Sequence, residues 1–117
     1  MDIEYPAFGT IVVEGTRFDH DLVIEDGLIR ARDKSPSKTI KAGAGHTPLS
    51  AAEDIPWSKT QLVIGSGYSG RLPVMSEVRD EAAARGVEML VMPTADACSL
   101  LRRLDSSEAN AILHVTC

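Results

Sequence analysis

The stretch "TQLVIGSGYSGRLPVMSEVRDEAAARGVEMLVM", residues 60–92, decides the fold because it alternates between two kinds of structure. Its apolar run Thr60–Gly65 predicts a buried strand, and Val87–Met92 predicts a second one. The residues between them have the composition and spacing of a helix. A strand–helix–strand unit of this length predicts at least partly parallel pairing in an α/β sheet.

The helix between these strands has signals at both ends. Pro73 suits the first helical turn, and Gly86 suits the position just after the last turn. Its apolar positions share one face: Val74, Val78 and Ala82. The pattern then continues, since Thr94 can cap the N-terminus of a second helix with Asp96 in its first turn. Asn110–Val115 predicts a last strand.

The N-terminal third, residues 8–32, predicts a β-meander. Turn signals fall at Glu14-Gly15 and at Glu25–Gly27, where Asp-Gly supplies the positive φ angles of a tight turn. The predicted strands are Gly9–Gly15, Arg17–Asp26 and Leu28–Arg32. Within the second of them, His20 between two aspartates indicates a solvated surface or a turn contact.

Between the meander and the βαβαβ part (60–117), residues 33–48 predict an exposed loop, because they are polar and lack periodicity. Ser50 and Glu53 then have capping-box spacing, but Pro56 stops any helix after about one turn. We therefore expect one domain, 1–117: a three-layer α/β fold with a central mixed sheet, helices, and an added N-terminal β-hairpin or meander layer.

Composition narrows the functional classes. The 117 residues carry a net charge of −5, which argues against nucleic acid and anionic membranes because no basic surplus displaces counterions. The acidic N-terminus does not resemble a signal peptide, and no apolar run approaches the roughly 20 residues that span a bilayer. We expect a cytoplasmic protein. A structural disulfide between Cys98 and Cys117 is not expected in a reducing compartment.

The glycines 65, 67 and 70 have the G-x-G-x-x-G spacing of a dinucleotide-binding turn. In such a turn the helix would already run at Gly70, which would place Pro73 inside it at a cost of ~3 kcal/mol. We therefore expect no dinucleotide and no other cofactor. Two interpretations stay open: a strand exit that needs positive φ angles, or a cradle whose backbone amides hold a small anion beside a helix start. The candidate anion-binding residues are Ser66, Gly67, Tyr68, Ser69, Gly70 and Thr94.

The histidines are candidates for acid–base or metal-binding roles, but the sequence does not show which partners lie beside them. His46 follows "GAG" in a loop, and it can act as an acid or base or simply hold the loop through a hydrogen bond. His114 is expected to bond a neighbouring strand or loop from the last strand. With Cys117 it forms H-x-x-C, but a closed zinc site needs four ligands, so Cys98 and His46 would also have to converge. We predict no metal, and Cys98 is expected to be a small core residue.

Exposed aromatic residues would indicate a protein contact. Trp57 follows Pro56 at the entry to the central strand, where it either caps the core or forms a binding hot spot with Tyr68. Trp57 and Tyr68 are therefore the candidate interaction residues.

The motifs "GHTPLS", "VIGSGYSG", "MPTADA" and "ILHVTC", in this order, resemble those of a small single-domain family. Its members include an adipogenesis-associated protein and a mitochondrial complex I assembly factor, and the resemblance spans nearly the whole chain. It implies a three-layer α/β fold and a role as an assembly or regulatory factor that acts on other proteins.

Two functions are therefore carried forward. The first is a non-catalytic regulatory or assembly-type protein that acts through protein or small-ligand contacts. The alternative is a small enzyme whose anionic substrate binds at the Gly65–Gly70 loop, with His46 as acid or base.

Overall fold

The computed structural model describes residues 1–40 and 47–117. Eight strands and two α-helices lie within these ranges, and none of their helices is long and apolar enough to cross a bilayer. In chain order the elements are β1 Ile3–Ala7, β2 Thr10–Val13, β3 Thr16–Phe18, β4 Leu22–Glu25, β5 Leu28–Ala31, β6 Gln61–Ser66, α1 Ser76–Arg85, β7 Glu88–Met92, α2 Thr94–Arg103 and β8 Ala109–His114.

The strands form two sheets. A small antiparallel sheet has the order β1-β2-β3, and the central sheet has the order β5-β4-β8-β6-β7. In the central sheet β6 runs parallel to β7 and β8, whereas β4 runs antiparallel to β5 and β8. The expected α/β fold with a mixed central sheet and an added N-terminal β layer is confirmed.

Alternate residues of the central strands pack to opposite faces, as the two-residue period of a strand requires. One face packs against the small sheet and α2, and Leu113 on β8 lies in that cluster with Ile11 and Leu101. The other face packs against α1 and residues 48–57, and Ile112 lies there with Leu49 and Val78. The central sheet is therefore covered on both sides.

The N-terminal strands differ from the prediction at one important place. The predicted strand Arg17–Asp26 is two strands, β3 and β4, which belong to different sheets. The chain crosses from one sheet to the other at residues 19–21, where His20 is exposed and Asp21 is buried. The strand β1 lies outside the predicted meander, and its pairing with β2 is interrupted between Glu4 and Ala7, around Pro6.

Both predicted turns of the meander are confirmed. Glu14 and Gly15 have φ angles of 49° and 80°, and Asp26 and Gly27 have φ angles of 53° and 79°. Consecutive positive φ angles are the geometry that matches the twist of a hairpin. These turns set the register of β2 with β3 and of β4 with β5.

Both predicted helix starts are wrong. Pro73 lies ahead of α1: its carbonyl accepts a hydrogen bond from Leu49 at 2.8 Å, and its neighbour Val74 bridges to the same residue. Thr94 is the first residue of α2 rather than its cap. Its hydroxyl forms hydrogen bonds with the Gly67 amide and the His114 carbonyl instead of with the helix. Gly86 does end α1, in the left-handed conformation with φ 69°, as predicted.

The segment predicted as an exposed loop, 33–48, is partly buried where the structure describes it. Ser37 and Pro48 are buried, and Ser37 belongs to the 3-10 turn Ser35–Ser37. Residues 41–46 lie outside the described residues, so the prediction for His46 is not tested. Ser50 and Glu53 form a turn rather than a helix, and the amide of Glu53 donates to the Ser50 carbonyl at 3.2 Å.

Candidate functional site

The site develops at one edge of the central sheet. Because β6, β7 and β8 are parallel, they end at the same edge, at Ser66, Met92 and His114. Because β4 is antiparallel to β8, its preceding residue Asp21 lies at this edge too. Ligands of open α/β sheets bind at the carboxyl ends of the parallel strands.

A buried hydrogen bond between His114 and Asp21 lies at this edge. His114 Nδ1 lies 2.8 Å from Asp21 Oδ2, and both side chains are about nine-tenths buried. The second carboxylate oxygen of Asp21 accepts a hydrogen bond from the Val115 amide at 3.0 Å. A carboxylate can only accept, so Nδ1 of His114 carries the proton in this contact.

Asp21 is held in its ionised form. Burial raises its pKa, but the hydrogen bond and charge of His114, the Val115 amide and the nearby Arg32 guanidinium lower it further, to about 2. Arg32 Nη1 donates to Asp21 Oδ2 at 2.9 Å. Asp21 Oδ2 therefore accepts hydrogen bonds from both His114 and Arg32.

Arg32 extends this pair into a buried charged network. Its Nε and Nη2 bind the two oxygens of Glu53 at 2.8 and 2.9 Å, in the bidentate geometry that suits a guanidinium and a carboxylate. Nη2 also donates to the Pro48 carbonyl at 3.2 Å. Burial lowers the pKa of Arg32, but the carboxylates of Glu53 and Asp21 outweigh it and the pKa is raised.

Two serines complete the network on the Glu53 side. The Ser37 hydroxyl donates to Glu53 Oε2 at 2.6 Å and lies 2.6 Å from the Ser50 hydroxyl. Within residues 1–40 and 47–117, no buried side-chain nitrogen or oxygen lacks a hydrogen-bond partner. Members of the network therefore satisfy one another, and their hydrogen bonds join the ends of β4, β5 and β8 to Ser37 and residues 48–53.

His114 has a second contact on its outer side. Its Nε2 lies 3.3 Å from the hydroxyl of Thr116, an exposed residue two positions further along the chain. With Nδ1 protonated toward Asp21, Nε2 of the neutral ring is the acceptor in this contact. The imidazole thus connects a buried carboxylate to a solvent-facing hydroxyl.

Thr94 connects the ends of the three parallel strands. Its hydroxyl accepts a hydrogen bond from the Gly67 amide at 2.8 Å and donates to the His114 carbonyl at 2.5 Å. A Cβ on Gly65 would approach this hydroxyl to 2.9 Å. Gly65 is therefore required by close packing against Thr94, and Thr94 holds residues Gly65–Gly70, here called the glycine loop, against β8.

The glycine loop is bound to the chain's own backbone. The amide of Tyr68 donates to the Thr116 carbonyl at 2.7 Å, and the amide of Arg71 donates to the Cys117 carbonyl at 3.0 Å. The amide of Gly70 donates to the Gly67 carbonyl at 3.3 Å. With Gly67 bonded to Thr94, three amides of the predicted anion cradle have acceptors within the protein. Anion binding by Ser66–Gly70 stays a prediction.

An aromatic group lies beside the loop. The ring centroids of Tyr68 and Phe8 are 5.9 Å apart in edge-to-face geometry, and Tyr5 lies 6.4 Å from Tyr68. Tyr68 is 62% exposed and Phe8 is 54% exposed. The Tyr5 hydroxyl donates to the Val115 carbonyl. We call Tyr5, Phe8 and Tyr68 the aromatic patch.

The structure separates the two predicted interaction residues. Trp57 precedes the first residue of β6 and Tyr68 follows its last residue, so they lie at opposite ends of a six-residue strand, roughly 20 Å long. Trp57 is half-buried against the α1 side of the sheet, where the Arg85 guanidinium lies 5.4 Å from its ring centroid. Tyr68 instead contacts the ring of Phe8, which lies about 60 positions away in the sequence.

The cysteines differ in their surroundings. Cys98 is buried on α2 in the core, as predicted, and burial raises the pKa of its thiol to about 11. Cys117 is half-buried, and both thiols are free. Within the described ranges no three side chains of His, Cys, Asp or Glu are arranged to hold a metal ion.

The sequence placed Ser66–Gly70 and Thr94 together, and the structure does so. It missed Asp21, Arg32 and Glu53, which form the buried network. The expectation that His114 bonds a neighbouring strand or loop is confirmed by its contact with Asp21, the residue just before β4. The predicted strand Arg17–Asp26 carries several charged residues besides Asp21, and period-2 alternation does not distinguish a buried aspartate from the solvated ones beside it.

The fold and the site define a class: a small α/β protein whose mixed sheet carries a closed His–Asp–Arg–Glu network at its carboxyl edge. The chain is 33% identical to the conserved hypothetical protein PH1505 from Pyrococcus horikoshii OT3, over 100% of both chains and with a TM-score of 0.83. The chain belongs to the family of that protein.

Two further solved structures are similar. A protein designated MT938 is 25% identical over 95% of this chain and 94% of its own, with a TM-score of 0.70. The protein XCC1710 from Xanthomonas campestris is 15% identical over 98% of this chain and 86% of its own, with a TM-score of 0.66, which shows a shared fold alone. No protein-family model and no curated protein matches the chain.

Proposed function

We propose that this protein is a regulatory or assembly-type protein of the cytoplasm that acts by contact with another protein rather than by turnover. The observation that carries the proposal is the aromatic patch. Within the described residues the large apolar side chains that are exposed are Phe8, Leu28 and Tyr68, and two of these three contact each other. Tyrosine is one of the residue types that most often dominate the binding energy of protein interfaces, and Tyr68 is the exposed tyrosine of this pair.

The patch is fixed before any partner arrives. Tyr68 is held through its amide on Thr116, and Tyr5 is held through its hydroxyl on Val115. The amide of Gly9, next to Phe8, also donates to the Val115 carbonyl at 2.7 Å. Because the backbone of both exposed rings is already ordered, binding a partner costs less conformational entropy than ordering a flexible loop.

The resemblance of the sequence to a family that includes an assembly factor supports the same kind of role. The net charge of −5 adds a condition on the partner. An acidic protein associates fastest with a basic surface, so the expected partner presents an apolar anchor residue within a basic surrounding.

The proposal is tested by site-specific photo-crosslinking in the cells that naturally produce the protein. A photoreactive phenylalanine replaces Tyr68 in one variant and Leu28 in a matched control, because Leu28 is 75% exposed but lies on the hairpin turn of β4 and β5. We expect one discrete adduct from position 68 and none of the same mass from position 28.

Competition separates specific contact from chance proximity. An excess of the unmodified protein should suppress the adduct, and an excess of the doubly substituted Phe8→Ala/Tyr68→Ala protein should not. Equal adducts from both positions, or equal suppression by both competitors, would refute the patch as a contact surface.

A further inference from the structure

Asp21, His114 and Thr116 form a continuous chain of side chains that runs from the core to solvent. Asp21 Oδ2 lies 2.8 Å from His114 Nδ1, and His114 Nε2 lies 3.3 Å from Thr116 Oγ1. A hydroxyl, a base within reach of it and a carboxylate that orients the base are the three parts of an activated nucleophile. The arrangement does not depend on the aromatic patch or on the proposed function.

We propose that the Thr116 hydroxyl is an activated nucleophile that accepts an acyl group from an activated ester or thioester. Thr116 Oγ attacks the acyl carbon while its proton passes to His114 Nε2. The bond from the acyl carbon to the leaving oxygen or sulfur then breaks, and the leaving group takes that proton from Nε2. The products are an O-acyl threonine and a free alcohol or thiol, and His114 returns to its neutral form.

The surroundings of Asp21 suit its part in this step. Its carboxylate is fixed on one side by the Val115 amide at 3.0 Å and on the other by Arg32 at 2.9 Å. Because Arg32 is itself bound by Glu53, the carboxylate keeps its position and its charge when His114 gains a proton. A held carboxylate both selects the tautomer with Nε2 free and stabilises the imidazolium.

Solvent reaches the proposed nucleophile but not the residues that would activate it. His114 and Asp21 are buried, whereas Thr116 is exposed. The Thr116 backbone is tied to the glycine loop, since its carbonyl accepts the Tyr68 amide at 2.7 Å. An acyl donor can therefore approach a hydroxyl whose position is set, while the base behind it is shielded from water.

The test uses p-nitrophenyl acetate with the full chain, in a Cys117→Ala background that removes the neighbouring thiol. Release of p-nitrophenolate gives the rate, and intact mass with peptide mapping gives the position of the acetyl group. We expect one acetyl group per chain on Thr116. Thr116→Val should abolish it, Thr116→Ser should retain it, and the matched control Thr60→Val, another exposed threonine, should leave it unchanged.

The role of His114 is tested separately with His114→Gln, after its fold has been checked by circular dichroism. General-base assistance is worth about 10²–10⁴-fold, so we expect acetylation of Thr116 to slow by at least about 100-fold. If that variant does not fold, the Thr116 variants alone decide the question, since their side chain is exposed. Acetylation that maps only to lysines, or that proceeds equally in Thr116→Val, would overturn the proposal.

Discussion

The backbone of Gly67 lies directly against the backbone of Cys117. A Cβ on Gly67 would approach the Cys117 carbonyl carbon to 2.3 Å and the carbonyl oxygen to 2.5 Å. Gly67 also has a φ angle of 106°, which L side chains rarely adopt. The glycine is therefore required twice, once by its own conformation and once by the segment 116–117 that packs across it.

Gly67→Ala should destabilise the protein strongly, and Gly70→Ala should do so weakly. The alanine at 67 meets backbone atoms of Cys117 that can shift only if their packing across Gly67 is lost, whereas a Cβ at Gly70 meets nothing closer than 3.6 Å. For Gly70, at φ 69°, the left-handed conformation alone costs about 1–2 kcal/mol. Urea unfolding measures both, and amide exchange at Tyr68 and Arg71 shows whether the segment 116–117 has detached. Equal losses from the two substitutions would show that the contact with Cys117 has no part in stability.

The need for glycines in the Gly65–Gly70 loop could be predicted from the sequence, but the contact that requires Gly67 could not. The position of Pro73 predicted that no helix begins near Gly70, as one would in a dinucleotide-binding turn, and α1 indeed begins only at Ser76. The reason for Gly67 lies about 50 positions away, at Cys117, and no local pattern records that contact. Local signals therefore predict that glycines are needed here, and only the tertiary structure shows what approaches them.

Asp21→Asn should cost about 3–5 kcal/mol, because removing one partner of a buried ion pair leaves Arg32 and His114 without their shared carboxylate. The matched control is Asp19→Asn, two residues earlier. Asp19 is exposed and its contact with Arg17 lies at the surface, so its loss should not change the urea midpoint measurably. A small effect of Asp21→Asn would mean that the amide replaces the carboxylate within the network.

The same carboxylate predicts an acid-sensitive stability. The pKa of Asp21 is lowered from 3.8 to about 2 in the folded protein, so the folded state binds this proton less readily than the unfolded chain. The contribution, about 2 kcal/mol, is therefore fully present above pH ~4 and is lost as the pH falls toward ~2. Urea unfolding between pH 2 and pH 6 should show this slope in the parent and a smaller one in Asp21→Asn. Parallel pH curves for the two proteins would contradict the assignment.

The buried network was beyond prediction for a physical reason. Arg32 ends a predicted strand, Glu53 has capping-box spacing with Ser50, and His114 lies within the last predicted strand. Each residue has an ordinary local explanation at its own position. Their contacts depend on the order β5-β4-β8, which places the second hairpin of the meander beside the last strand of the chain. The strands were predictable from periodicity, but their order in the sheet was not.

Thr94→Val should destabilise the protein more than Thr94→Ser does. Valine keeps the shape but removes the hydroxyl that accepts the Gly67 amide at 2.8 Å and donates to the His114 carbonyl at 2.5 Å. An unsatisfied buried donor costs about 1–3 kcal/mol, whereas serine keeps both bonds and loses one methyl group. Thermal unfolding of the two variants distinguishes them. The reverse order of stability would show that Thr94 acts through its methyl group in the core.

The two thiols should differ in reactivity by a wide margin. Burial raises the pKa of Cys98 to about 11, so the fraction of reactive thiolate at pH 8 is about 10⁻³ even before access is considered. Cys117 is half-buried at the edge of the sheet, where reagent can reach it. A disulfide reagent at pH 8 should therefore modify one thiol per chain promptly and the second only in denaturant, and Cys117→Ala should remove the prompt phase. Prompt modification of both thiols in the folded protein would mean that the core around α2 opens on the time scale of the reaction, which its packing against Ile3 and Leu113 argues against.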